Sequence, residues 1–369
     1  MIKRIGFFLI LIVITTMVFF NGNRKGANAQ NFPDRSGIPA RLAADYIHSV
    51  IEAGRKVYAF HIVERLGKKI DLKASEDWET KNTLLLPAQF LLASSQLSNQ
   101  RGVGMRYSLM GLWPINPKNG PTSANEKLGL EQVVKNPNEP FTWVVQTHGV
   151  WYFQAIYPDI AVNDSCVSCH NNHRKSPKKN FHKGDVMGGI MINFPLGRFA
   201  RKDSNKQFLI APEVVADYVH SVLESDRTVY AKYIVNRLAE KNVLAAKENW
   251  MKEDALMLPA QFLLNASAVR KKSLRGLDFK LISLWPINDK NGPANAFERE
   301  GLESLVIHPI RPYIGQTSVG RKKFFQAIYP DIAVTPACVK CHNNHPRSSK
   351  KDFQLDDVMG GIVVTLPLN

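Results

Sequence analysis

The chain has little cysteine and comparatively little acidic charge. Its 369 residues include only four cysteines, too few for the dense disulfide framework of a small secreted scaffold. Against 48 Lys and Arg there are 32 Asp and Glu, which gives a formal net charge of +16. Because 44% of the residues are hydrophobic, the composition excludes a disordered polyelectrolyte. At ~150 residues per domain, the length suggests about two domains.

Long apolar runs are missing after the first twenty residues. Ile5–Phe20 is uncharged and apolar, follows a basic start, and precedes the small-x-small pattern of Ala27–Ala29. This arrangement is typical of a secretory signal peptide. We therefore predict that residues 1–29 are cleaved before Gln30 and that the mature protein is periplasmic, or otherwise extracytoplasmic. An uncleaved membrane anchor is the alternative, but the run is short for a span of about 20 residues.

Export affects which partners the net positive charge predicts. Cleavage of residues 1–29 lowers the formal net charge from +16 to +12. A basic chain can bind nucleic acid, but an exported protein meets no genome. We predict no nucleic-acid partner and, after signal cleavage, no membrane span.

The rest of the chain contains one unit twice, because sequence blocks recur at a constant offset of 172 residues. The pairs include 45–50 with 217–222, 86–90 with 258–262, 112–116 with 284–288, 154–162 with 326–334, and 185–190 with 357–362. Each repeat is about 165 residues long, a normal domain size. We predict tandem domains at residues 30–198 and 199–369, joined within the polar stretch 197–207.

Each repeat has the pattern of an α+β domain. Apolar residues recur at helical spacing from Leu42 to Leu66, which predicts one long helix or two in series. Trp78–Leu92 is predicted as a shorter helical segment interrupted near Pro87. Aromatic and β-branched runs predict strands at Tyr107–Ile115, Trp143–Gln146, Val150–Tyr157 and Val186–Phe194. Long helices followed by several strands favour an antiparallel sheet.

All four cysteines lie in two copies of one motif. The copies read Cys166-Val167-Ser168-Cys169-His170 and Cys338-Val339-Lys340-Cys341-His342. Cys-x-x-Cys-His is the pattern of c-type haem attachment, in which two thiols form thioethers and the histidine ligates the iron. We therefore predict two covalently attached haem c groups, with the four cysteines holding the porphyrins and His170 and His342 as axial iron ligands.

Two other chemistries use paired cysteines. A redox dithiol does not need a histidine after the second cysteine of both copies. A zinc site could combine Cys166, Cys169, His173 and His182, but the second repeat has Gln354 in place of the last ligand. Covalent haem is the interpretation that accounts for both copies.

The blocks around the motifs resemble a known family. Leu112–Asn116, Tyr157–Asp159, Cys166–Asn172 and Asp185–Ile190 look like the PAS-like c-type haem domain. That domain occurs as the periplasmic sensor of some bacterial chemoreceptors and histidine kinases, and in stand-alone cytochromes. The resemblance covers nearly all of each repeat. It implies two tandem PAS-like domains, each with haem between an antiparallel sheet and the N-terminal helices, and electron transfer or sensing rather than bond-making chemistry.

Two departures from that family affect the functional interpretation. Its sensors continue into a transmembrane helix and a cytoplasmic transmitter, whereas this sequence ends at Asn369, directly after the last predicted strand. The chain is therefore expected not to signal across a membrane unaided. Some family members use a cysteine as the sixth iron ligand, and here no cysteine is spare.

Histidines on the long helices are candidates for that sixth ligand. His48 and His220 occupy equivalent positions in the two repeats, although a histidine at the edge of the core would fit the same pattern. His61 is a third candidate, but Tyr233 replaces it in the second repeat, so the two haems could differ. An open or water-bound iron is a further alternative.

Methionines and a second pair of histidines are weaker candidates. Met187 and Met359 lie in apolar strands, where core packing is the better explanation. His173 and His345 follow the axial histidines by three residues, so a short helix would keep them on the proximal side.

A basic loop follows each motif: Arg174, Lys175, Lys178 and Lys179 in the first repeat, and Arg347, Lys350 and Lys351 in the second. Positive charge near a haem edge can steer an acidic redox partner, although a charge run is also typical of a solvated loop. The expected partners are a redox protein, acidic if the loops steer it, a small gas if one iron is open, and a second copy of the chain if it forms a homodimer.

Three classes of function fit these features. The first is an exported di-haem electron carrier between periplasmic redox partners, which the missing transmitter favours. The second is a redox or small-gas sensor component, responding to CO or NO and acting through a partner protein. A haem enzyme such as a peroxidase ranks last, because no polar distal set that could move protons is evident in both repeats.

Overall fold

The computed structural model describes residues 37–196, 201–202, 207–273 and 276–368. The predicted signal peptide, residues 1–29, lies outside the described residues, as does most of the predicted junction. In the described part of the chain, no helix is both long enough and apolar enough to cross a membrane.

The first half begins with an almost unbroken helical rod and ends with the last strand of its sheet. Its elements are β1 (Ile38–Pro39), α1 (Ala40–Val57), a π-helical segment (Tyr58–Glu64), α2 (Arg65–Ile70), α3 (Pro87–Gln100), β2 (Arg106–Met110), α4 (Ala124–Lys135), β3 (Phe141–Thr147), β4 (Val150–Ile160), α5 (Asp164–Asn172) and β5 (Val186–Pro195).

The second half repeats this order after two short strands. Its elements are β6 (Arg201–Lys202), β7 (Phe208–Ile210), α6 (Pro212–Val229), a π-helical segment (Tyr230–Asn236), α7 (Arg237–Glu240), α8 (Pro259–Ser273), β8 (Asp278–Ile282), α9 (Ala296–Ile307), β9 (Tyr313–Val319), β10 (Lys322–Ile332), α10 (Pro336–Asn344) and β11 (Val358–Leu368). The matching order is what the repeated sequence blocks predict.

Each half contains one four-stranded antiparallel sheet, so the predicted α+β class is confirmed. The strand orders are β2-β5-β4-β3 and β8-β11-β10-β9. Alternation along β4 sends Ala155 and Tyr157 towards the long helices, whereas Ile156 packs with Leu130 of α4 on the opposite face. A third, small sheet of order β1-β7-β6 links the two halves.

The helices of the two halves share one core. A series of aromatic rings crosses it in the order Tyr58, Phe90, Phe262, Tyr230, with successive ring centroids 4.4, 5.7 and 4.5 Å apart. All four side chains are fully buried. Buried aromatic rings contribute strongly to core stability, and the described residues of both halves form one compact unit.

Two predicted elements are wrong in their extent. The helix predicted over Trp78–Leu92 starts only at Pro87, because proline suits a first helical turn and the Gln89 side chain accepts a hydrogen bond from the Leu86 N–H at 3.0 Å. Trp78 lies in the preceding loop. Strand β2 ends at Met110 rather than Ile115, because the next N–H, that of Gly111, donates to the Asn119 carbonyl at 2.9 Å and not to a neighbouring strand.

Candidate functional site

The two Cys-x-x-Cys-His motifs form the short helices α5 and α10. Asn163 caps α5 by accepting a hydrogen bond from the Cys166 N–H at 3.2 Å, and Thr335 stands at the equivalent position before α10. Residues three apart are neighbours on a helix surface, so the two cysteines of each motif lie side by side. All four are free thiols; Cys169 is exposed and Cys166 half-buried. Each pair is therefore accessible for attachment to one porphyrin.

A small apolar wall from distant parts of each half packs against the motif. In the first half it consists of Ala161, Phe181, Met187 and Trp113, and in the second of Ala333, Phe353, Met359 and Trp285. The Phe181 ring stands edge-on to the His170 ring, with centroids 5.8 Å apart and planes at 89°. Two hydrogen bonds of 2.9 Å between Asn171 and the Phe181 backbone hold this wall against the helix.

The environment of each motif histidine favours the neutral imidazole. The Nδ1 atoms of His170 and His342 are buried and have no hydrogen-bond partner among the residues that the structure describes. Burial, followed by the nearby His173, lowers the pKa of His170 below its usual value, and His345 acts similarly on His342. The neutral imidazole is the form that binds iron. Two thiols beside a neutral imidazole thus fit covalent haem in both halves.

A buried arginine lies behind each motif. Arg55 Nη1 is 3.0 Å from Asp159 Oδ1, and its Nη2 is 3.1 Å from Glu52 Oε2. Burial acts to lower the pKa of Arg55, but these carboxylates, with a further contribution from Cys166, raise it overall. Arg227 in the second half pairs with Asp331 at 2.7 Å and Glu224 at 3.2 Å. A charge held this way stays ionised beside the motif.

The sequence analysis missed these ion pairs, although the repeat offset marks them. Arg55, Asp159 and Glu52 each recur unchanged 172 residues later. Most exposed charged residues differ between the two halves. The recurrence of three charged residues was therefore the sequence signal that could have revealed these buried ion pairs.

His48 and His220 lie flat on tyrosines of the central strands. The His48 and Tyr157 ring centroids are 4.0 Å apart, and the His220 and Tyr329 centroids 3.9 Å apart. Burial lowers the pKa of His48 to about 4 and that of His220 to about 3. Their Nε2 atoms have no hydrogen-bond partner in the described structure. Both rings thus pack against the central strands of their sheets.

The third distal candidate lies at the boundary between the halves. The ring of His61 stands edge-on to Trp250, with centroids 5.5 Å apart. Its counterpart Tyr233 packs at the same centroid distance against Trp78. Each thus contacts a loop of the opposite half.

The two histidines of the alternative zinc site face different partners. His173 Nε2 is 3.4 Å from Glu76, and its Nδ1 accepts the Lys175 N–H at 3.1 Å. His182 is exposed and faces Asp185 at 3.7 Å. Within the described ranges, no group of three or more Cys, His, Asp or Glu side chains is placed to hold a metal ion.

The basic loops reach over the aromatic walls. Lys178 Nζ is 5.2 Å from the centroid of the Trp113 ring and 4.8 Å from that of Phe181. Lys350 repeats this over Trp285 and Phe353, at 5.4 and 5.0 Å. Cation–π contacts of this kind place positive charge next to each motif.

Comparison with protein families gives one match. Residues 38–195 and 204–367 each match the family described as Tll0287-like. Comparison with the curated proteins gives no match. The two matched segments coincide with the two halves and include both motif helices.

Proposed function

Because the chain belongs to the Tll0287-like family in both of its halves, we propose that it is an exported di-haem c-type cytochrome that transfers electrons between periplasmic redox partners. The family is a haem-binding one, which supports the cofactor at the level of the domain. The observation that carries the proposal is the repeated group of two free thiols and a half-buried imidazole, with a buried Nδ1 atom, against an aromatic wall.

Each side chain has a definite part in this proposal. The four cysteines would anchor the porphyrins, and His170 and His342 would each supply an imidazole nitrogen to the iron. When bound, haem supplies a one-electron redox centre. The walls around Phe181 and Phe353 exclude water from one side of the imidazole, and the paired guanidinium groups of Arg55 and Arg227 keep fixed charge nearby.

The stoichiometry and coordination of iron test the proposal. Intact mass and a pyridine haemochrome spectrum of the exported protein are expected to show two haems per chain. Optical and EPR spectra, recorded oxidised and reduced and with and without CO, are expected to show six-coordinate iron that does not bind CO. Absence of haem would reject the proposal. CO binding at either iron would instead favour the sensor alternative.

We propose that the electron-transfer partner is an acidic protein that docks at the basic loops. Lys178 and Lys350 lie over the walls, and exposed Lys175 and Lys179 extend the positive surface. Steering by such charges raises association rates and is screened by salt.

The rate of electron transfer to an acidic redox protein is expected to fall with ionic strength. The double substitution Lys175→Glu and Lys179→Glu should lower the second-order rate at low salt about tenfold, because it reverses charge on the docking surface. Lys127→Glu is the matched control, since this exposed lysine lies on α4, which covers the other face of the sheet. A rate independent of salt, or an equal loss in the control, would exclude docking at the loops.

A further inference from the structure

Two loops carry contacts from one half of the molecule to the other. We name residues 71–86, between α2 and α3, the first connecting loop, and residues 241–258, between α7 and α8, the second connecting loop. Each occupies the same position in its repeat. Each is held by an arginine of the opposite half.

Arg237 of α7 holds the first connecting loop. Its guanidinium donates hydrogen bonds to the backbone carbonyls of Trp78 at 3.0 Å and Lys81 at 3.2 Å, and to that of Thr83. The same group lies over the Trp78 ring, 5.1 Å from its centroid. A planar guanidinium presents five donors in a fixed fork, so one side chain fixes several points of the loop.

Arg65 of α2 holds the second connecting loop in the same way. It donates to the carbonyls of Trp250 at 3.1 Å and Glu253 at 3.5 Å, and to that of Ala255. Its guanidinium lies 4.9 Å from the centroid of the Trp250 ring. The two contacts are therefore reciprocal.

The other side of each loop holds the motif helix of its own half. Glu76 Oε1 in the first connecting loop is 3.4 Å from His173 Nε2. Because His173 Nδ1 accepts the Lys175 N–H, its Nε2 carries the hydrogen and faces the carboxylate. The backbone N–H of His173 closes α5 on the Cys169 carbonyl at 2.9 Å. The loop thus reaches the end of the helix that carries the haem-attachment residues.

The second connecting loop makes the equivalent contact. Glu248 Oε1 is 3.1 Å from His345 Nε2, and Arg347 Nη2 adds contacts of 3.4 Å to the same carboxylate. His345 Nδ1 accepts the Arg347 N–H at 3.2 Å.

The loops can transmit a displacement because they are braced internally. Ala74 pairs with Leu84 across the first connecting loop, and the Gln89 side chain donates to the Glu76 carbonyl at 2.9 Å. The carbonyls held by Arg237 and the carboxylate that contacts His173 therefore belong to one braced segment.

We propose that Arg237 is a positioning residue for the haem site of the first half and Arg65 for that of the second, so that each half orients the site of the other. The proposal rests on the proposed function in taking the motifs as haem sites. The contacts run from Arg237 through the first connecting loop and Glu76 to His173, and from Arg65 through the second connecting loop and Glu248 to His345.

Amide hydrogen exchange of the full-length protein tests the crossed dependence. Arg237→Ala is expected to speed exchange in residues 164–173 about fivefold or more and to leave residues 336–345 unchanged, as local opening requires. Arg65→Ala should give the reverse pattern. A merely structural interface would loosen both helices equally. That result, an effect confined to the variant's own half, or no change would overturn the proposal.

Two further sets of variants keep the test decisive if an alanine variant does not fold. Arg237→Lys and Arg65→Lys keep the charge but lose the fork, and are expected to give the same crossed pattern. Glu76→Gln and Glu248→Gln leave the arginine contacts intact and should each loosen only the motif helix of their own half. Lysine variants that behave like the unchanged protein would show that charge, not the fork, matters, and would reject the positioning role.

Redox titration of chains that keep only one motif measures how the arginine substitutions affect the midpoint potential of the remaining haem. In a chain that keeps only the second motif, by Cys166→Ser and Cys169→Ser, Arg65→Ala is expected to shift the midpoint potential and Arg237→Ala is not. The opposite assignment would reject the crossed arrangement. Missing haem would instead count against the proposed function, because the exchange experiment does not depend on haem.

Discussion

Replacing Cys166 and Cys169 by serine is expected to remove one haem from the chain and leave the second attached. In the proposed function each motif supplies both thiols for a single porphyrin, and each motif packs against its own wall. The absorbance of the pyridine haemochrome per chain should halve, and the intact mass should fall by one haem. Changing all four cysteines should abolish both signals.

The controls separate attachment from folding. Ser168→Ala lies inside the same motif but carries no thiol, so both haems are expected to remain. Replacing Cys338 and Cys341 should give the complementary single-haem chain. If either double variant lost both haems, attachment in one half would depend on attachment in the other, and the expectation that each motif attaches its own haem would be wrong.

Asp226→Asn is expected to stabilise the protein at pH 8 and to change little near pH 4. Asp226 is buried on α6, in the space left by Gly54 of α1, and burial raises its pKa from 3.8 to about 7, a shift that Ser94 partly offsets. The folded state therefore prefers the protonated acid. At about 1.4 kcal/mol per pKa unit, ionising the folded group costs about 4 kcal/mol as an upper figure.

The direction of the pKa shift of Asp226 determines the pH range over which its contribution to stability changes. With a raised folded-state pKa, the contribution of Asp226 to stability is complete below about pH 4 and is lost as the pH rises through about 7. Urea unfolding of both proteins at pH 4, 6 and 8 should show a difference that grows with pH. His48 and His220, with lowered pKa values, have the opposite dependence, but they are common to both proteins and cancel. The exposed Asp289→Asn is the matched control; a constant difference across pH would refute the assignment.

The periodicity of the sequence predicts the helices and strands, but it does not predict the contacts between the two halves. Helical spacing from Leu42 to Leu66 and alternation along β4 follow from burial of one face, so they can be read from a single repeat. The last part of the first connecting loop, from Trp78 onward, was predicted as part of a helix that in the structure starts only at Pro87. Its tryptophan is instead covered by Tyr233 and Arg237 of the opposite half. No local pattern records a partner 159 residues away.

The motif residues were predictable for a chemical reason, and their surroundings were not. Thiol spacing and the adjacent histidine are dictated by the cofactor, so Cys166 and His170 stand out in the sequence. Nothing in the local sequence distinguishes Phe181 from other apolar residues, or Glu76 from other exposed acids. Their positions beside the motif result from the fold. Only their recurrence as Phe353 and Glu248 distinguishes them.

Arg65 and Arg237 make reciprocal contacts, each with the connecting loop of the opposite half. A two-fold axis produces this pattern of contacts. When a surface pairs with a copy of itself, every contact from one side is returned from the other, as in a symmetric dimer. The two halves of the single chain therefore contact each other as the two subunits of a symmetric dimer do. Covalent linkage fixes the pairing and frees each position to diverge alone, as at Gly54, whose counterpart is Asp226. Two identical subunits would have to place the same residue on both sides of that contact.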